Sequence, residues 1–119
     1  MGADHAKIVT EELSGATLQV VCDMDETRAK TIADAYGAVA TANNPEAVIE
    51  RDDVDAVIVA SPDFTHAPLS LACIKAGKKV LCEKPLSQNS AECVDVMTAE
   101  QAAGQRHIML GFMRRYDPA

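Results

Sequence analysis

The sequence predicts an α/β fold built on a parallel sheet, and three observations carry that expectation. Helical and extended segments alternate along the chain, separated by short loops marked with Gly and Pro. The clearest extended segment, Val54-Asp55-Ala56-Val57-Ile58-Val59-Ala60, is near-continuously apolar, the pattern of a strand covered on both faces. Polar clusters follow directly after four of the strands, and ligands of such sheets bind beyond the carboxyl ends of the strands. The 119 residues suit one domain, and 48% hydrophobic against 24% charged residues is the balance of a globular chain. With no Trp, two Tyr and two Phe, the core falls to Val, Ile, Leu, Ala and Met.

Each element has its own punctuation. Gly2 to Leu13 places Ala3, Ala6, Ile8, Val9 and Leu13 at helical spacing, and Ser14-Gly15 ends that helix. Leu18-Gln19-Val20-Val21-Cys22 is a β-rich run that stops at Asp23. Asp25 caps a second helix that runs to Tyr36 and is closed by Gly37. A short strand near residues 38–41 follows, and Asn44 caps a short helix with Pro45 at its first position, ending near Arg51. After the strand at 54–60, Ser61-Pro62-Asp63 makes a turn, and Pro68 to Ala76 is helical up to Gly77. Lys78-Lys79-Val80-Leu81-Cys82 is a further buried strand, ended by Glu83-Lys84-Pro85. A long helix from Ser90 to Ala103 stops at Gly104, and His107-Ile108-Met109-Leu110-Gly111-Phe112 is the last strand. The stripe Ala72, Ile74, Val94 and Met97 reads as core packing.

Charge and cysteine usage exclude several classes. Eleven Lys+Arg against 18 Asp+Glu leave a net charge of −7, the wrong sign for nucleic acid or an anionic membrane surface. No apolar run reaches the roughly 18 residues of a membrane span, and the start lacks the basic-then-apolar pattern of a signal peptide. Cys22, Cys73, Cys82 and Cys93 form no C-x-x-C pair and no cluster with His, so neither a metal site nor a disulfide framework is expected. Cys22 and Cys82 read as small buried hydrophobes, and a reduced, cytoplasmic protein is expected.

Asp23 is a carboxylate at a strand end before a helix, the position that binds adenosine ribose hydroxyls in dinucleotide folds. Its charge repels the 2′-phosphate of NADP, and Met24 next to it offers no compensating cation. An Asp that only caps the turn is the plain alternative. The glycine loop expected with it is absent. The chain opens Met1-Gly2 directly on a helix, so Gly2 is expected to be the last glycine of that loop, with the first strand and most of the loop missing.

Val21-Cys22-Asp23, Ala60-Ser61-Pro62, His66, Ala76-Gly77-Lys78-Lys79-Val80-Leu81-Cys82-Glu83-Lys84-Pro85-Leu86 and Gly111-Phe112 together resemble the amino-terminal domain of the Gfo/Idh/MocA oxidoreductases. Gly111-Phe112-Met113-Arg114-Arg115-Tyr116-Asp117-Pro118 is most similar to the inositol 2-dehydrogenase branch of that family. The resemblance implies a truncated, Rossmann-like doubly wound sheet over residues 1–119 as the NAD(P)-binding domain, with the substrate domain absent. It implies NAD as cofactor and a sugar or cyclitol as substrate, oxidised at a secondary alcohol by a protein that forms homo-oligomers. It further implies that Asp23 holds the adenosine ribose, that Gly2, Ser61, Pro62 and His66 belong to the cofactor groove, and that Glu83 and Lys84 flank the nicotinamide. Lys84 is then the catalytic lysine, and Met113 and Arg114 face nicotinamide and substrate from the last strand.

The chemistry of Lys84 agrees: an ammonium beside an alcohol oxygen stabilises developing alkoxide charge, and burial beside a cationic ring would lower its pKa. Pro85 lacks an N–H and fixes the turn, so a cis Lys84–Pro85 bond is expected. Lys78 and Lys79 read as solvated, and His107 reads as structural. His5 carries no assigned chemistry, and Arg115 is a solvated or interface charge. Two other classes stay open on these residues: a non-catalytic dinucleotide-sensing module, and an inert domain that keeps the fold.

Overall fold

A computed structural model describes residues 2–111, and the chain divides into two compact units at Val54/Asp55. Among the described residues the strands form two sheets, one of two strands and one of three, and every pairing is parallel.

In the first unit, α1 (Gly2–Lys7) passes into a π-helical turn at Ile8–Glu12, so the expected helix over residues 2–13 changes pitch midway. Ala6 is buried from α1, whereas Ile8 and Leu13 stay exposed. β1 (Val20–Cys22) pairs with β2 (Ala40–Ala42) through α2 (Glu26–Tyr36). Both strands are shorter than the apolar pattern suggests. The caps of α2 are those expected: the Asp25 carboxylate accepts from Arg28 N, and Gly37 takes the left-handed conformation at φ 72°. Asn44 likewise caps α3 (Pro45–Ile49) by accepting from Ala47 N, with Pro45 at the first position. The core of this unit is Ala6, Ala29, Ala33, Val48, Ile49 and Val54. Cys22 is exposed, contrary to expectation: β1 is a three-residue strand whose last side chain lies outside that core.

In the second unit, β3 (Ala56–Val59), β4 (Lys79–Glu83) and β5 (Ile108–Gly111) lie in that order. Between them run α4 (His66–Lys75), preceded by a 3₁₀ turn at Asp63–Thr65, and α5 (Ser90–Ala102). Asn89 caps α5 by accepting from Glu92 N. The two helices pack against each other, and one face of the sheet is buried at Val59, Val80 and Cys82. Side chains alternate across a strand, so the neighbouring row Ile58, Leu81 and Met109 points the other way, and Ile58 and Met109 are exposed. Burial of β3 on both faces, expected from its apolar run, therefore does not occur, because this unit's two crossover helices share one side of the sheet. Ala67, Ile74 and Val96 form the helix-side core, with Leu71, Leu86, Ala99 and Ile108 packed on it. Val94 and Met97 are exposed rather than core: α5 turns its Cys93, Val96 and Ala99 stripe inward instead.

The start of β5 is held by side chains. Glu100 accepts from His107 N at 3.0 Å and Ile108 N at 2.9 Å, and these two N–H groups hold its carboxyl below the usual carboxylate range. His107, 5% exposed, contacts Lys78 O through Nδ1 at 3.1 Å, the structural role expected of it. Lys79 Nζ donates to Arg106 O.

Candidate functional site

Asp23, Ser61, Pro62, Glu83 and Lys84 fall at or just beyond the carboxyl ends of strands, and each unit presents its own set.

In the first unit, Asp23 follows β1. Its Oδ1 accepts from Asp25 N at 2.9 Å, so part of the carboxylate caps the turn, and its Oδ2 lies 3.7 Å from Arg28 Nη1. Asp23 N donates to Ala42 O, which continues the ladder one residue past the strand and fixes where the carboxylate stands. Arg28 is the residue that reading along the strand misses. It sits in the first turn of α2, and helical periodicity from the Asp25 cap brings it back beside Asp23. Met24 is 89% exposed. Gly2 is the first residue of α1.

In the second unit, Ser61 and Pro62 follow β3 in a loop with its own bonding. Ser61 Oγ and Thr65 Oγ1 lie 2.5 Å apart, and Thr65 bonds Pro62 O through both Oγ1 and its backbone N–H. Glu83, Lys84 and Pro85 follow at the end of β4, with a cis Lys84–Pro85 peptide bond as expected. Lys84 is exposed, and Glu83 is half-buried beside the end of β5. A Cβ on Gly111 would come 3.3 Å from Glu83 Oε2, so glycine there leaves room for the carboxylate. His66 lies beneath these loops rather than on their surface. It is 1% exposed, with Nδ1 2.6 Å from Pro85 O and Nε2 2.8 Å from Ser61 O. Met113, Arg114 and Arg115 lie outside the described residues.

Cys73 and Cys82 are fully buried behind the site, and burial pushes the Cys73 thiol up to about 11. Among the described residues no group of three or more His, Cys, Asp or Glu side chains could hold a metal ion, and no helix is long and apolar enough to cross a membrane.

Taken by itself, the first unit places a carboxylate at the end of β1, the position suited to ribose hydroxyls, and the second places a carboxylate and a lysine at the end of β4. Comparison with known proteins agrees. Residues 1–112 match the model of the Gfo/Idh/MocA oxidoreductase family, NAD-binding Rossmann fold. Inositol 2-dehydrogenase 4 of Saccharopolyspora erythraea is 48% identical over 118 residues, covering 99% of this chain and 35% of that protein. Inositol 2-dehydrogenase 2 of the same organism is 45% identical over the whole chain, again 35% of the relative. Among solved structures, myo-inositol dehydrogenase from Lactobacillus casei, in complex with NAD(H) and myo-inositol, superposes with a TM-score of 0.93 at 29% identity, over 98% of this chain and 35% of that one. A putative myo-inositol dehydrogenase from Sinorhizobium meliloti gives 0.86 at 33% identity, over 96% of this chain and 33% of that one. The chain thus spans about a third of the length of the relatives it matches. With its parallel strands, its interleaved helices and its Glu83-Lys84-Pro85 turn, the chain belongs to the Gfo/Idh/MocA family of oxidoreductases with an NAD-binding Rossmann fold.

Proposed function

We propose that this chain is the cofactor-binding domain of an NAD-dependent dehydrogenase that oxidises a secondary alcohol of a cyclitol or sugar, myo-inositol-like in class. The observation that carries the reading is the Glu83-Lys84-Pro85 turn at the carboxyl end of β4, with its exposed lysine. Identities of 45–48% with inositol 2-dehydrogenases support the substrate class. On this reading residues 1–119 supply cofactor binding, a second domain supplies most of the substrate contacts, and the assembled enzyme is a cytoplasmic homo-oligomer.

Asp23 accepts hydrogen bonds from the ribose hydroxyls through the carboxylate oxygen that the turn leaves available. Ser61 and Pro62 line the groove, and Gly2 meets the cofactor from the start of α1. Glu83 orients the turn and the nicotinamide. The chemistry that bound NAD would supply is a nicotinamide acceptor for the hydride of the alcohol carbon. Lys84 faces the alcohol oxygen, and its ammonium stabilises the negative charge that builds there as the hydroxyl proton passes to a base of the second domain, charge that then collapses into the carbonyl as the hydride leaves. Met113 and Arg114 are assigned to the nicotinamide and the substrate by the family resemblance alone.

The test is Lys84→Met in the full-length enzyme. A loss of kcat of about 10²–10⁴-fold, matched in kcat/KM and with NAD affinity retained, is the expected result. A variant that keeps most of its kcat overturns the catalytic assignment and favours a nucleotide-sensing role.

A further inference from the structure

We infer that His66 is a positioning residue for Lys84: from α4 it clasps the two loops that leave β3 and β4, and so fixes where the lysine stands. The inference rests on the reading of Lys84 as the catalytic lysine. Three observations support it. The ring is 1% exposed, so it has no surface to offer a nucleotide or a substrate. Both ring nitrogens are engaged, Nδ1 with Pro85 O at 2.6 Å and Nε2 with Ser61 O at 2.8 Å. Both carbonyls lie past the last paired residues of their strands, where Val59 pairs with Cys82 and Glu83 with Gly111, so neither belongs to the sheet ladder.

The neighbourhood explains why a side chain does this work. Pro62 and Pro85 remove backbone N–H groups from these two turns, leaving them short of main-chain donors to tie one to the other. A carbonyl oxygen only accepts, so the ring nitrogen that carries hydrogen makes the bond, and the tautomer decides which carbonyl receives it. The imidazole is rigid, and its two nitrogens fix the separation of the two loops. The Ser61 loop is itself braced by Thr65, one residue before His66, through bonds to Ser61 Oγ and Pro62 O. Pro85 O is one peptide unit from Lys84, so a change in this clasp moves the ammonium directly. A displacement of about 1 Å from productive geometry can lower a rate by about 100-fold.

The two contacts are separable. Asn places its amide nitrogen near the position of Nδ1, and Gln places its own near Nε2. His66→Asn therefore keeps the bond to the Lys84 turn, and His66→Gln keeps only the bond to Ser61. In the full-length enzyme His66→Gln should lower kcat by about 10- to 100-fold with little change in NAD affinity, and His66→Asn should restore most of it. Combining His66→Gln with Lys84→Met should add little to Lys84→Met alone, since the histidine acts through the lysine.

Fully additive losses, equal kcat for the Asn and Gln variants, or variants that melt below the assay temperature would each overturn the inference, the last because the clasp would then hold the fold rather than the turn. If Lys84→Met itself leaves kcat intact, the catalytic reading fails first. If Lys84→Met is slow while His66→Gln is normal, the clasp alone fails.

Discussion

The unit before Val54 is tied on its surface, whereas the unit after it is tied from within. In the first, the polar contacts are exposed: Arg51 with Asp53 at 2.7 Å, Lys30 with Asp34 at 3.1 Å, Asn43 with Glu26 at 2.7 Å. Arg51 and Gln19 hold the Asp53 carboxyl well below the usual carboxylate range, yet the group stays in solvent. In the second, His66, His107 and Ser70 are buried, and the two histidines reach backbone carbonyls across the fold. Exposed ion pairs are worth little, because solvent screens them and ordering the side chains costs entropy. A buried group that bonds the main chain holds its position, because breaking the bond strands a polar atom away from water. The proposed ribose carboxylate thus belongs to the tolerant unit, and the proposed catalytic lysine to the constrained one.

Substitutions can break or sharpen that contrast. Ile74→Ala empties the centre of the second unit's core and should cost about 2–5 kcal/mol, read by denaturant melting. A loss below about 1 kcal/mol would show that core to be looser than its burial implies.

Glu100→Ala comes next, at about 1–3 kcal/mol, since it leaves His107 N and Ile108 N without their acceptor. Its pH dependence has a definite sign. The folded carboxyl lies below its unfolded value, so its contribution is complete above the ordinary carboxylate range. It disappears as acid titrates the folded group. The difference between wild type and variant should therefore shrink on going from neutral pH into acid, as melts across that range would show.

Asp23→Ser tests the first unit. Removing the carboxylate leaves Arg28, now 3.7 Å from it, available to a 2′-phosphate. NAD over NADP preference in the full-length enzyme should fall by about tenfold, the scale of one charge contact near the surface, with stability nearly unchanged. A variant with unaltered preference would place cofactor choice elsewhere.

The smallest effect belongs to Asp34→Asn, at about 0.3–0.5 kcal/mol for its exposed pair with Lys30. A cost well above that would remove the contrast between the units.

Local chemistry was legible in the sequence, and facing was less so. Asp25, Asn44, Gly37, Gly77 and Gly104 stand where caps and stops belong, because one residue's geometry decides each of them. Which stripe of a helix turns inward depends on partners far along the chain. In α5 two apolar stripes compete, Val94 with Met97 and Cys93 with Val96 and Ala99, and spacing alone does not choose between them. The packing of Val96 against Ala67 and Ile74 does. The same holds at the site. Asp23, Ser61 and Lys84 stand after strands, as the sequence places them, but the burial of His66 was hidden, since the two carbonyls it meets are main-chain atoms that carry no sequence signal.

The grip of Glu100 on the first two backbone groups of β5's approach has a use in engineering. Register is set by a side chain on the helix and by His107 on the far side, so the intervening Gly104 and Gln105 are spacers rather than determinants. Lengthening that spacer costs only about 0.6 kcal/mol per doubling of the loop. A short tag or fluorophore-bearing peptide inserted between Gly104 and Gln105 therefore leaves β5 in step with β4, giving a labelling position at the opposite end of the sheet from Lys84.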